Sequence, residues 1–79
     1  MYTVYVLKDE NGNIYKGMTK DLERRLKEHK NKHTKTTSKM KNIVVVYKEN
    51  FDDFLSARER EIYFKSAAGR KFLKKVLPE

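Results

Sequence analysis

A chain of 79 residues without cysteine has room for one domain only, because a protein of that size buries roughly 60% of its unfolded surface and has little core to divide. Neither disulfides nor thiolate zinc sites are open to it, so a reducing cytoplasm is the expected setting. Nineteen Lys and Arg against eleven Asp and Glu give a net charge of +8, which points to a polyanionic partner. Ten of the basic residues fall between Lys20 and Lys48, against three acids, and Arg70, Lys71, Lys74 and Lys75 form a second group. Nucleic acid is the expected partner, since each phosphate neutralised releases condensed counterions. A membrane surface fits less well, because no segment pairs a wide apolar face with a purely basic one. No apolar run reaches the roughly 18 residues that a membrane span requires.

In chain order, Tyr2 to Leu7 (YTVYVL) is rich in β-branched and aromatic residues, and the cluster Lys8 to Asn13 (KDENGN) leads into Ile14 to Gly17, so the first two elements form a hairpin. From Thr19 the period changes. Thr19 is placed to cap a helix from about Lys20 to Lys30, with Asp21 and Glu23 at the positive end of its dipole and Leu22 and Leu26 one turn apart. Asn31 to Asn42 reads as a polar, lysine-rich loop. Ile43 to Tyr47 (IVVVY) is a continuous apolar run of strand formers, expected at the centre of a small sheet with both faces covered.

Asp52 or Asp53 can cap a second helix, in which Leu55 and Ile62 recur at heptad spacing while Ala57, Phe64 and Ala68 line an adjacent stripe. Gly69 reads as a left-handed stop or hinge, and a last helix buries Phe72, Leu73, Val76 and Leu77 before Pro78 ends it. The order ββαβαα describes one α+β domain over residues 1–79, with a three-stranded, largely antiparallel sheet flanked by helices.

Common catalytic patterns are absent. His29 and His33 have the spacing of helix-borne zinc ligands, but Lys30 stands where a glutamate would follow and no cysteine completes the set. Gly12, Gly17 and Gly69 are isolated, so there is no glycine-rich phosphate loop. Ser38, Ser56 and Ser66 suit capping or loop roles. What remains is a set of tyrosines, basic residues and a carboxylate. In the hairpin Tyr5 and Tyr15 can share a face, and Arg25 and His29, four apart, share a face of the helix that follows. Glu59 and Glu61 both border apolar residues, and periodicity does not choose between them.

TVY at Thr3 to Tyr5, YKG at Tyr15 to Gly17, and MTKDLERRLKEH after it resemble the motifs of the GIY-YIG nucleases, particularly their short stand-alone bacterial members; ARERE and IYFKSAAGRKFLKK resemble the family's glutamate helix and basic tail. Thr3 and Val4 replace the first motif's Gly and Ile, and Lys16 replaces the second's Ile. On a strand Lys16 points away from the face of Tyr15 and Gly17, and so is expected to be solvated.

The resemblance implies a metal-dependent endonuclease that hydrolyses phosphodiesters in DNA, structure-dependent rather than sequence-specific, as in repair or recombination. It implies a catalytic set of Tyr5, Tyr15, Arg25, His29 and Glu61, with Gly17 as a structural motif residue and Glu61, rather than Glu59, holding one Mg²⁺ or Mn²⁺. Phosphodiester cleavage needs an activated water, positive charge on the non-bridging oxygens and a Lewis acid at the leaving group. In that scheme Tyr5 deprotonates the water, Tyr15 orients it or shares that role, Arg25 clamps the phosphate and His29 accepts the tyrosine's proton. Because tyrosine titrates near about pH 10, Arg25, the metal or nearby lysines must favour the phenolate.

Lys35, Lys39, Lys41, Lys65, Arg70, Lys71 and Lys74 are assigned to the nucleic-acid backbone. Expected substrates are branched, nicked or single-stranded DNA, with RNA open, and the monomer is the expected state. Two alternatives are a non-catalytic nucleic-acid-binding module of the same fold and an interaction domain for an acidic protein.

Overall fold

The first two strands are joined by a turn that one buried carboxylate organises. In the computed structural model, which describes residues 1–31 and 40–77, strand β1 (Tyr2–Lys8) pairs antiparallel with β2 (Ile14–Thr19). Between them Asp9 accepts hydrogen bonds from the backbone N–H of Asn11 at 3.0 Å and of Asn13 at 2.7 Å, and from Asn13 Nδ2 at 2.9 Å. Gly12 takes φ +85°, a conformation with little cost for glycine. Glu10 N donates to Lys41 O, and Asn42 Nδ2 to Glu10 Oε2, which ties the turn to the chain entering the third strand.

Helix α1 (Leu22–Lys30) follows, then β3 (Val44–Phe51), α2 (Phe54–Lys65) and α3 (Ala67–Val76), the order ββαβαα expected from the sequence. Asp21, not Thr19, caps α1 by accepting from Arg24 N; Thr19 Oγ1 stands one step earlier and accepts from Asp21 N. Asp53 caps α2. The loop reading for residues 31–42 falls largely outside the described residues, as does the stop assigned to Pro78. No described helix is long and apolar enough to cross a membrane.

Sheet order is β2-β1-β3, so β1 is central and the apolar run before Lys48 lies on an edge strand, contrary to the reading of IVVVY as the central one. Both neighbours of β1 are antiparallel, and Val4 to Leu7 are buried on both faces, whereas Val44 is 55% exposed. Composition alone does not say which of two apolar strands lies between the others. A register shift between Val6 and Leu7 offsets the β1–β3 pairing.

The two faces carry separate cores. Val4 and Val6 pack with Ala57, Phe64 and Leu73 under α2 and α3, and Tyr5 and Leu7 pack with Met40 and Ile43, joined by Tyr15, Leu22 and Leu26 under α1. On α2 the inward stripe is Ala57, Glu61 and Phe64, while Leu55 and Ile62, expected to be buried, face solvent. Ala68 and Val76 also lie outside the core, and Leu73 is the buried residue of the α3 apolar set. Tyr2, Tyr47 and Tyr63 are packing residues, as expected. Arg60, which the sequence did not single out, lies over the rings of Tyr63, Phe64 and Phe72 at 4.7–4.8 Å and donates two hydrogen bonds to Glu49.

Gly69 is neither a left-handed stop nor the hinge. It sits in the first turn of α3, and the chain bends at Ser66, which ends α2 and caps α3 by accepting from Gly69 N. A Cβ on Gly69 would come within 2.6 Å of Phe64 Cα, so the glycine lets the two helices meet at close range.

Burial opposes the charge of Asp9, but hydrogen bonds from Asn13 and Asn11 outweigh it and hold the carboxyl below the usual value of 3.8. A depressed folded pKa gives stability that is present above the unfolded value and lost as pH falls through the folded one. Asp9→Ala is therefore expected to lower Tm at pH 7, and the gap to the wild type to narrow as pH drops below about 4, read by thermal unfolding across pH.

Candidate active site

Tyr5 and Gly17 are direct cross-strand partners, and Tyr15 lies diagonally across on the same face. A Cβ on Gly17 would stand 2.6 Å from Tyr5 Oη and 3.0 Å from Tyr15 Cε1. The missing side chain is thus what lets the Tyr5 ring lie down over β2 and bring its hydroxyl beside Tyr15. Helix α1 crosses this face with Leu22, Leu26 and His29 at helical spacing, and Arg25 beside them.

Tyr5 Oη is 3.0 Å from His29 Nε2, in a buried contact. The rings of Tyr15 and His29 meet edge to face at 4.9 Å, and those of Tyr5 and Tyr15 lie 6.2 Å apart. Arg25 lies close enough to act electrostatically on both phenols and forms an ion pair with Glu28 at 3.1 Å. Four of the five expected catalytic residues therefore form one contacting group.

Its electrostatics follow from burial. Desolvation pushes the Tyr5 phenol up to about 12, more than the opposing hydrogen bond and charge of Arg25 pull it down. Arg25 by itself therefore does not favour the phenolate: the enclosed site penalises a phenolate more than one guanidinium stabilises it. Burial, and then the charge of Arg25, push His29 below 6.5, with Glu28 opposing. In the neutral tautomer protonated at Nδ1, His29 accepts at Nε2 the O–H that Tyr5 donates. Arg25 is held charged chiefly by Glu28, against a smaller cost of burial.

Glu61 arrives from the other helix layer, in the stripe that packs against the Val4 and Val6 face. Its carboxylate is hydrogen-bonded by Arg58 and, at 3.4 Å, by Lys65, both on its own helix, so its partners lie outside the tyrosine group. The structure separates the two candidate carboxylates that periodicity left equal, because Glu59 faces solvent and Glu61 is only 8% exposed. A lone carboxylate fits Mg²⁺ or Mn²⁺ in the way such ions are commonly held, by one or two carboxylates with substrate oxygens and water completing the shell. Arg58 and Lys65 are 49% and 54% exposed at their side chains, so both can turn toward solvent and release it. Among the described residues no three His, Cys, Asp or Glu gather as a ready-made metal cage.

Of the residues assigned to nucleic acid, Lys41, Arg70, Lys71 and Lys74 are exposed, and Lys65 is the ion-pair partner of Glu61. Lys35 and Lys39 lie outside the described residues. Lys16 does point away from Tyr15 and Gly17, but it is half-buried rather than freely solvated: desolvation first, and then the charges of Arg70 and Lys65, lower its pKa. Sequence reasoning missed the buried Asp9, the Arg60 stack and this placement of Lys16. The one signal for Lys16 was a charged residue at an inward-facing strand position.

The match to known proteins covers almost the whole chain. The GIY-YIG catalytic domain matches residues 1–75. A UPF0213 protein of Staphylococcus saprophyticus is 34% identical over 74 residues, covering 92% of this chain and 90% of that protein. Another, from the nuclear polyhedrosis virus of Autographa californica, is 32% identical over 74 residues, covering 91% and 71%. The solution structure of a UPF0213 protein from Bacillus halodurans superposes with a TM-score of 0.59 at 29% identity, covering 95% of this chain and 84% of that one. Carrying the tyrosine pair, the arginine helix and the glutamate helix on a ββαβαα frame, the chain belongs to the GIY-YIG nuclease family, with UPF0213 proteins among its relatives.

Proposed function

We propose that this protein is a metal-dependent endonuclease that hydrolyses phosphodiester bonds in DNA, choosing its target by structure (branched, nicked or single-stranded) rather than by a long sequence, as repair or recombination requires. The observation that carries the reading is the buried 3.0 Å hydrogen bond between Tyr5 Oη and His29 Nε2, with Arg25 beside it. A buried phenol near pKa 12 is a poor base alone, but it can take a proton from water in the same step in which it passes its own to Nε2. The hydroxide so formed attacks phosphorus, the bond to the leaving oxygen breaks, and that oxygen is protonated from solvent. Tyr15 orients the water and Arg25 balances the charge on the non-bridging oxygens.

Glu61 would hold one Mg²⁺ or Mn²⁺, which when bound stabilises the charge on the departing oxygen. The exposed Lys41, Arg70, Lys71 and Lys74 position the backbone, with Lys65 free to join them once Glu61 is otherwise engaged. One observation favours the non-catalytic reading: Glu61 is already satisfied by Arg58 and Lys65. Cleavage decides between the two.

In a panel of labelled DNA and RNA structures incubated with Mg²⁺ or Mn²⁺, the wild type is expected to cut. Tyr5→Phe should lose about 10²- to 10⁴-fold in rate while still binding, and Glu61→Gln should lose metal-dependent cutting. A wild type that binds without cutting would leave the binding-module reading. Gly17→Ala should also depress cutting, since its methyl group claims the place of the Tyr5 hydroxyl; unchanged activity in this variant would show that the hydroxyl position is not critical. His29 must be neutral to accept, and its pKa is lowered from 6.5, so kcat/KM should hold through neutral pH and fall only on the acid side of 6.5. His29→Gln should be slow and lack that acid limb.

A further inference from the structure

On the sheet face opposite the tyrosines, a cavity of about 550 Å³ opens between the hairpin and α3. Lys8, Lys16, Arg70 and Lys74 supply its charge, and Ile14, Leu73 and Leu77 are among its apolar walls. Lys16 stands on β2 between Tyr15 and Gly17 and is the cross-strand partner of Val6, whose side chain belongs to the α2–α3 core. Among the described residues none of the four cations forms an ion pair, although three acids, Glu28, Glu49 and Glu61, are so engaged elsewhere.

Several like charges around one half-enclosed space repel one another and lose hydration, and an anion relieves both costs. The lowered pKa of Lys16 reflects those two costs, burial first and then Arg70 and Lys65. In the YKG of this chain, lysine stands where the motif's name has isoleucine.

We propose that this cavity is a phosphate-binding subsite, with Lys16 and Arg70 as its principal donors, that holds a nucleic-acid strand at a phosphate flanking the scissile one. The placement rests on the nuclease reading of the tyrosine face. β2 is an edge strand, with Tyr15 and Gly17 on one face and Lys16 on the other. A single strand laid over that edge meets Arg25 and Tyr15 on one side and Lys16 and Arg70 on the other. Glu61 is delivered from the Lys16 side as well, and its partner Lys65 is one of the charges that Lys16 senses. A rigid duplex is too stiff to fold over one strand edge, so the geometry selects a single-stranded flap, gap or branch.

The test is the salt dependence of binding of a labelled single-stranded oligonucleotide to the full chain without divalent metal. Lys16→Met and Arg70→Gln are each expected to weaken binding and to reduce the slope of log Kd against log salt by about 0.7, the value for one lost phosphate contact on a single strand. Lys16→Arg should keep the wild-type slope, and Lys75→Gln, which removes a charge from α3 outside the cavity, should change it much less.

Amide shifts at Lys16 and Arg70 on adding the oligonucleotide would support the assignment. Equal slopes for Lys16→Met and Lys75→Gln would overturn it. So would shifts with inorganic phosphate alone while the oligonucleotide slope stays unchanged in Lys16→Met, which would make the cavity a free-phosphate site. Cutting is scored separately: full activity in Tyr5→Phe defeats the catalytic scheme and leaves this subsite standing, whereas an unchanged slope beside normal cutting defeats the subsite alone.

Discussion

The pairing of Tyr5 with Gly17 is the constraint on which the rest of the tyrosine site depends. A phenol on a central strand would ordinarily stand up from the sheet and fill core space. Here the absence of one Cβ lets the ring lie across the neighbouring strand, and its hydroxyl ends beside Tyr15 and within 3.0 Å of His29. The ring is almost wholly buried, which fixes its direction and also makes its ionisation costly. Position and reactivity therefore have one cause, and the cost in basicity is offset by an acceptor placed on α1.

A second network performs the corresponding service for the other layer. The guanidinium of Arg60 lies over three aromatic rings and is forked onto Glu49 of β3, which also accepts from Tyr47. Such a fork fixes geometry as well as contributing energy, because the planar guanidinium matches a carboxylate only in a narrow range of orientations. It ties α2 and α3 to the sheet edge, and so sets the height at which Glu61 is presented. Ala57 is fully buried against the sheet core, and Gly69 lets α3 pack closely on α2, so the layer is formed without a large core. That economy suits a chain of 79 residues.

The two faces then differ in electrostatic character. Under α1 the ionisable groups are partnered with one another, phenol to imidazole and guanidinium to carboxylate. Opposite, beside α3, cations gather without counter-ions among the described residues. One edge strand separates these environments, because alternate residues of a strand point to opposite faces.

Much of this was legible in the sequence. The hairpin and the helix periods set the element order and let Tyr5, Tyr15, Arg25 and His29 come together, because hairpin register and helical pitch are local properties that a few neighbouring residues determine; the resemblance to the GIY-YIG motifs is what singled those four out. Tertiary packing decided the rest. Leu55 with Ile62, and Ala57 with Phe64, have the same seven-residue spacing, and only the position of the sheet chose the second pair and buried Glu61 with it. The run at Val44 read as central until the topology placed β1 between its neighbours. Gly69 read as a stop, and the contact with Phe64 shows that it is needed for closeness instead. The resting state of Tyr5 and the surroundings of Lys16 depend on desolvation, and a sequence carries no record of which groups water can reach.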